Sequence, residues 1–205
     1  MWVKICGVQS SADALFAESC GADAVGINLH AKSARCVSVE IAAEIAAAVR
    51  IESILVVVDR DEAELAELVE AIRPSRVQLH GSEPPGYGAW LGVPCLRAFV
   101  ATDDVLDRIR RHTNSPFLLD AYVPGQAGGT GRRVDRDLAR EAAKLGPMIL
   151  AGGLTPENVA EAVASVRPWG VDVASGCESA PGVMDRDKVR RFVQEAHRPP
   201  GRLQA

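Results

Sequence analysis

"VKICGVQSSADALFAESCGADAVGINL", residues 3–29, sets two short runs of aliphatic and β-branched residues on either side of a segment with helical spacing. The runs at 3–6 and 24–29 read as strands. Ser10 or Ser11 stands where a helix N-cap belongs, ahead of "ADALFAE". Strand, helix, strand is the unit from which parallel sheets are built. No Gly-x-Gly-x-x-Gly follows the first run, so an open doubly wound sheet would lack the dinucleotide fingerprint expected of it.

The unit recurs along the chain. After "VKIC" come "AVGINL", "ILVVV", "RVQLH", "CLRAFV", "FLLDAY", "MILAGG" and "VDVASG", making eight runs. Helical spacing fills the intervals, at 39–50, 61–73 and 155–166 among others. Asp61 is a start signal for one of these, and Thr155 followed by Pro156 at the first helical position is another. Eight strands roughly 20 to 30 residues apart, each followed by a helix, close into a (β/α)8 TIM barrel of parallel strands. The expected organisation is one near-minimal α/β barrel domain over residues 1–197, with 198–205 as a loose tail.

A chain of 205 residues can bury one substantial core. Hydrophobic residues make up 47% and charged residues 24%, which excludes disordered and fibrous classes. The net charge of −4 comes from 23 basic and 27 acidic residues spread along the chain, so no basic face is offered to nucleic acid. The start "MWVKICGV" lacks a charged segment followed by an apolar one, and no run approaches the ~18 apolar residues of a membrane span. The expected location is cytoplasmic, with no membrane partner. Five cysteines, odd in number and never in a Cys-x-x-Cys pair, argue against a disulfide framework and a cysteine zinc site.

In such a barrel, chemistry sits at the carboxyl ends of the strands. That rule selects Cys6, then Asn28 and His30 with Ser33 and Arg35 in the following loop, Asp59, His80, Asp120, the pair Gly152 and Gly153, and lastly Asp172, Ser175 and Gly176. Cys6 alternates with Lys4 onto one side of its strand. If that side is the interior, the ammonium should lower the thiol pKa and make Cys6 a general base; otherwise Cys6 is a small buried hydrophobe. Asp120 ends the apolar run "PFLLD", where desolvation would keep a carboxyl protonated as a general acid; capping the next loop is its alternative role. The other four cysteines read as packing residues, with exposure the alternative for Cys177, just past "ASG".

The loop "GQAGGTG" at 125–131 offers bare backbone N–H groups, with the Thr130 hydroxyl beside Gly129 and Gly131. "AGGL" at 151–154 and "ASG" at 174–176 follow the seventh and eighth strands, where barrels commonly hold phosphate. Three such loops point to a phosphorylated small molecule whose remote phosphate orients the reacting centre.

The motifs "VKICGV", "GADAVGI", "KSARCV", "VQLHG", "LLDA" with "GGTG", "LAGGLTPENV" and "GVDVASGCESAPG" occur in an order and spacing that resembles the phosphoribosylanthranilate isomerase family of tryptophan biosynthesis, over nearly the whole chain. The resemblance implies an Amadori rearrangement of an aminoaldose phosphate to an aminoketose, without cofactor or metal. It makes Asp120 the general acid, Cys6 the general base, and Arg35 the bidentate partner of the anthranilate carboxylate. Gly129, Thr130, Gly131, Gly152, Gly153, Ser175 and Gly176 would hold the phosphate. Both monomers and homodimers fit the family.

The chain departs from the family pattern at Asn28, His30 and Ala34, beside the expected aglycone pocket, and at Met184, where lysine is common. Three alternatives follow: a paralogue acting on another aminoaldose phosphate, a metal-dependent epimerase using His30 and His80 with Asp59 or Asp120, and a phosphate-ligand binder without turnover.

Overall fold

A computed structural model describes residues 1–112, 116–120 and 135–198. Its centre is a closed barrel of eight parallel strands in chain order: β1 (Trp2–Cys6), β2 (Ala24–Asn28), β3 (Glu52–Val57), β4 (Arg76–Leu79), β5 (Cys95–Val100), β6 (Phe117–Asp120), β7 (Met148–Leu150) and β8 (Gly170–Val173). Each of the eight expected runs overlaps one of them. β1 pairs with β8, Trp2 opposite Gly170 and Lys4 opposite Asp172, and this seam closes the sheet. Around it lie α1 (Ser11–Ser19), α2 (Val39–Ala48), α3 (Glu62–Ile72), α4 (Val105–Arg111), α5 (Arg136–Ala143), α6 (Val159–Val166) and α7 (Arg186–Ala196). A short hairpin, β9 (Glu178–Ala180) with β10 (Val183–Met184), precedes α7. The expected tail, from residue 199 onward, lies outside the described residues.

Strand alternation sorts the side chains. Val3, Ile5, Val25, Ile27, Leu55 and Val57 point outward into the core shared with the helices, while Leu96, Ala98, Leu118, Ile149 and Ala151 fill the barrel interior with Trp2 beneath them. The odd positions of β1 are therefore lipid-like packing, and its even positions, Lys4 and Cys6, face inward. Helix starts follow local chemistry. Ser10 accepts from the Asp13 amide and Asp61 from the Glu64 amide, each satisfying a donor the first turn leaves open.

Two expectations need correction. The helix placed at 155–166 is regular only from Val159, with Pro156 in an irregular first turn; Thr155 still marks its start, its hydroxyl accepting from the Glu157 amide and its carbonyl from the Val159 amide. The Asn158 side chain stitches that turn, accepting from the Thr155 amide and donating to the Gly153 carbonyl. No helix follows β4: residues 80–94 run as turns, since Pro84, Pro85, Gly86, Gly88 and Gly92 interrupt any helical hydrogen-bond ladder. A buried carboxylate secures this crossover. Glu83 accepts from the amides of Asp59 (2.9 Å) and Gly81 (3.1 Å) and pairs with Arg97 at 2.8 Å, joining the ends of β3, β4 and β5.

Candidate active site

The carboxyl ends of the strands form a mouth into which β1, β6 and β8 deliver Cys6, Asp120 and Asp172. Lys4 lies one step below Cys6, fully buried, with its ammonium 2.9 Å from the Asp172 carboxylate. The Lys4 Nζ and the Cys6 Sγ converge over Gly26 of β2: a methyl group there would sit 3.0 Å from Nζ and 2.6 Å from Sγ. Only glycine leaves room for both. Burial alone would drive the Lys4 pKa down, but Asp172 and then Cys6 outweigh it, and the net displacement is upward. Lys4 is thus a permanent cation inside the barrel.

Cys6 departs from expectation. Its pKa is raised, not lowered, because desolvation of the thiolate exceeds the pull of Lys4, and Asp172 adds repulsion. Lys4 and, farther down the order of causes, Arg35 act in the expected direction without prevailing. Cys177 is a packing residue and not an exposed thiol: it is buried, and burial pushes its thiol up to about 12.

Asp120 is buried at the end of β6, with the His80 Nε2 3.6 Å from its Oδ2. His80 is oriented from behind, its Nδ1 lying 2.8 Å from the amide nitrogen of the buried Gln78. Asp120 and Asp172 share a small polar cavity, about 40 Å³, with Gly152, Gly153, Ser175 and Gly176. Gly152 and Gly153 both have positive φ, +81° and +65°, a conformation that favours glycine and turns the backbone sharply here. Gly176 is required for a different reason: a Cβ would fall 1.8 Å from the Leu154 carbonyl oxygen, so the loops after β7 and β8 touch through its bare backbone. Two of the three expected phosphate loops therefore meet beside the carboxylates. Gly129, Thr130 and Gly131 of the third lie outside the described residues.

Arg35 is in the loop after β2, where its amide is held by the Ser33 hydroxyl at 3.1 Å. Its side chain crosses Gly7, immediately after Cys6; at φ +83° this glycine leaves space that a Cβ would fill to within 2.3 Å of the Arg35 Cδ. The guanidinium is already paired. Nε and Nη2 donate to the two oxygens of Glu178, at 2.5 and 2.7 Å. Nothing in the sequence linked these residues, which lie 143 positions apart.

The histidines and Asp59 do not gather. Asp59 accepts from the amide and hydroxyl of Ser82, and the Asn28 side chain accepts from the amide of His30. Among the described residues, no three His, Cys, Asp or Glu side chains converge as a metal site. No helix among them is long and apolar enough to cross a membrane.

A family model described as N-(5′-phosphoribosyl)anthranilate (PRA) isomerase matches residues 3–195. The N-(5′-phosphoribosyl)anthranilate isomerase of Geobacter sulfurreducens is 45% identical over 197 residues, covering 95% of this chain and 97% of that protein. The crystal structure of phosphoribosylanthranilate isomerase from Thermotoga maritima superposes with a TM-score of 0.88 at 32% identity, covering 96% of this chain and 98% of that one. A further phosphoribosylanthranilate isomerase, solved in complex with reduced 1-(o-carboxyphenylamino)-1-deoxyribulose 5-phosphate, has a TM-score of 0.85 at 31% identity, with the same coverage of both chains.

Proposed function

Because the chain belongs to the N-(5′-phosphoribosyl)anthranilate isomerase family, we propose that it converts N-(5-phosphoribosyl)anthranilate to 1-(2-carboxyphenylamino)-1-deoxyribulose 5-phosphate in tryptophan biosynthesis, with Asp120 as general acid and Cys6 as general base. The observation carrying this reading is the convergence of Cys6 and Asp120 on one mouth, with the glycine loops after β7 and β8 beside Asp120. Gly152, Gly153, Ser175 and Gly176 hold the phosphate, joined by Gly129, Thr130 and Gly131. Arg35 takes the anthranilate carboxylate.

Asp120 gives its proton to the furanose ring oxygen as the C1′–O4′ bond breaks, and the anilino nitrogen lone pair forms the C1′=N⁺ bond. The Cys6 thiolate then removes the C2′ proton. The electrons of that bond become the C1′=C2′ double bond, and those of the iminium return to nitrogen, giving an enolamine. Tautomerisation moves the C2′ hydroxyl proton to C1′ and leaves the ketone. The base must be ionised in a site that disfavours thiolate, so Lys4 and the cationic imine supply the compensating positive charge.

Freshly generated N-(5-phosphoribosyl)anthranilate should lose its fluorescence in the presence of the protein with no metal added. Cys6→Ser and Asp120→Asn should each lower kcat by at least about 10²-fold while phosphate binding persists. Undiminished turnover in either variant would refute its assigned role, and inactivity of the wild type would refute the substrate.

A further inference from the structure

The ion pair between Arg35 and Glu178 joins a loop expected to meet substrate with a residue of no assigned role. Glu178 opens β9, one position past the turn at Ser175–Cys177. Its backbone is fixed by Lys188, whose Nζ donates to the Glu178 carbonyl at 2.7 Å. The two side chains are largely buried, 15% exposed for Arg35 and 9% for Glu178. Guanidinium and carboxylate meet side-on through two parallel hydrogen bonds, the arrangement that fixes both planes.

We propose that Glu178 is a positioning residue: by occupying the Nε/Nη2 edge of Arg35, it leaves the Nη1/Nη2 edge as the sole fork for the aromatic carboxylate of the substrate. An arginine has five N–H donors, and Glu178 uses two of them. The remaining three include the pair pointing from the end of the guanidinium, which can still engage a second carboxylate bidentately. The contact with Gly7 confines the Arg35 stem and the bond to Ser33 fixes its backbone, so the ion pair removes the last freedom of the side chain before ligand arrives. Glu178 also opposes the incoming negative charge. A carboxylate seated on the free edge is nearer the guanidinium than it is to Glu178 on the far side, so attraction prevails there; elsewhere the pair is close to neutral and offers an anion little. The pair thereby selects where a carboxylate sits, as well as whether one is present.

This inference rests on the assignment of Arg35 to the substrate carboxylate. Its test uses wild type, Glu178→Gln, Glu178→Asp, Arg35→Ala and the double variant Arg35→Ala/Glu178→Gln. Steady-state kinetics are measured beside the dissociation constants of reduced 1-(o-carboxyphenylamino)-1-deoxyribulose 5-phosphate and of inorganic phosphate. Glu178→Gln should raise KM and the dissociation constant of the carboxylate-bearing ligand about tenfold, with kcat within about twofold and phosphate affinity unchanged. Glu178→Asp should recover part of the loss, and Glu178→Gln should add nothing once Arg35 is alanine. Tighter carboxylate binding in Glu178→Gln would overturn the proposal by making Glu178 a competitor of the ligand. Equal weakening toward phosphate, or an effect that persists without Arg35, would overturn it by making Glu178 a structural support. If the wild type bound the reduced ligand but turned over no substrate, the isomerase reading would fail, and the binding comparison would still decide the role of Glu178.

Discussion

Cys6 shows how two opposing effects on one residue set a measurable behaviour. Lys4 draws the thiol toward ionisation and burial draws it away, and burial wins. A thiol whose pKa lies above its ordinary value is mostly protonated at neutral pH, and its thiolate fraction grows tenfold per pH unit until the pKa is passed. The pH profile of kcat/KM should therefore climb from neutral into the alkaline range. Lys4→Met, which removes the favourable cation, should displace the ascending limb to still higher pH; an ascending limb at or below pH 6 in wild type would mean that Cys6 is not the titrating base. The presence of Cys6 and Asp120 in the mouth was readable, because a strand that alternates on a barrel dictates which side chains reach its inside. The direction of the Cys6 shift was not, because it depends on how deeply neighbouring strands cover the sulfur.

At the scale of elements, local hydrogen-bond chemistry made the strands and the caps at Ser10 and Asp61 legible. Legibility failed where a side chain reaches across elements. Thr155–Pro156 carries a helix-start signature and Thr155 does accept from the Glu157 amide, yet regular helix waits until Val159, in a turn that the Asn158 side chain ties to the Thr155 amide and the Gly153 carbonyl. The crossover after β4 replaces a helix with the three-way grip of Glu83, a function no periodic pattern announces. Glu178 went unnoticed for the same reason. Two substitutions separate local from tertiary constraint. Asp61→Ala should cost about 1 kcal/mol of stability and leave turnover unaltered, since it removes one cap on α3 and Asp61 does not line the cavity shared by Asp120 and Asp172. Gly176→Ala should lower both the melting temperature and phosphate affinity, because its methyl group would collide with the Leu154 carbonyl and separate the loops after β7 and β8. Differential scanning calorimetry with phosphate titration checks both, and normal phosphate affinity in Gly176→Ala would show that these loops tolerate separation.

Across the whole molecule, closure and the site share one interaction. The Lys4–Asp172 pair spans the β1–β8 seam, linking residues 168 positions apart. Lys4→Met would strand the Asp172 carboxylate in the interior and should destabilise the barrel by about 3–5 kcal/mol, whereas adding Asp172→Asn should restore much of it. Denaturant unfolding of the two variants measures this, and equal stability would show that water already satisfies Asp172.

The seam also has a bearing on how the chain is made. Of the barrel strands β1 is the first to leave the ribosome and β8 the last, so at ~5–20 residues per second β1 waits roughly 10–30 s for its second neighbour. During that interval β1 presents an unpaired edge, and Lys4 has no carboxylate to meet. The nascent barrel can align its strands in order of synthesis, but Cys6 and Lys4 reach their final surroundings only when β8 arrives.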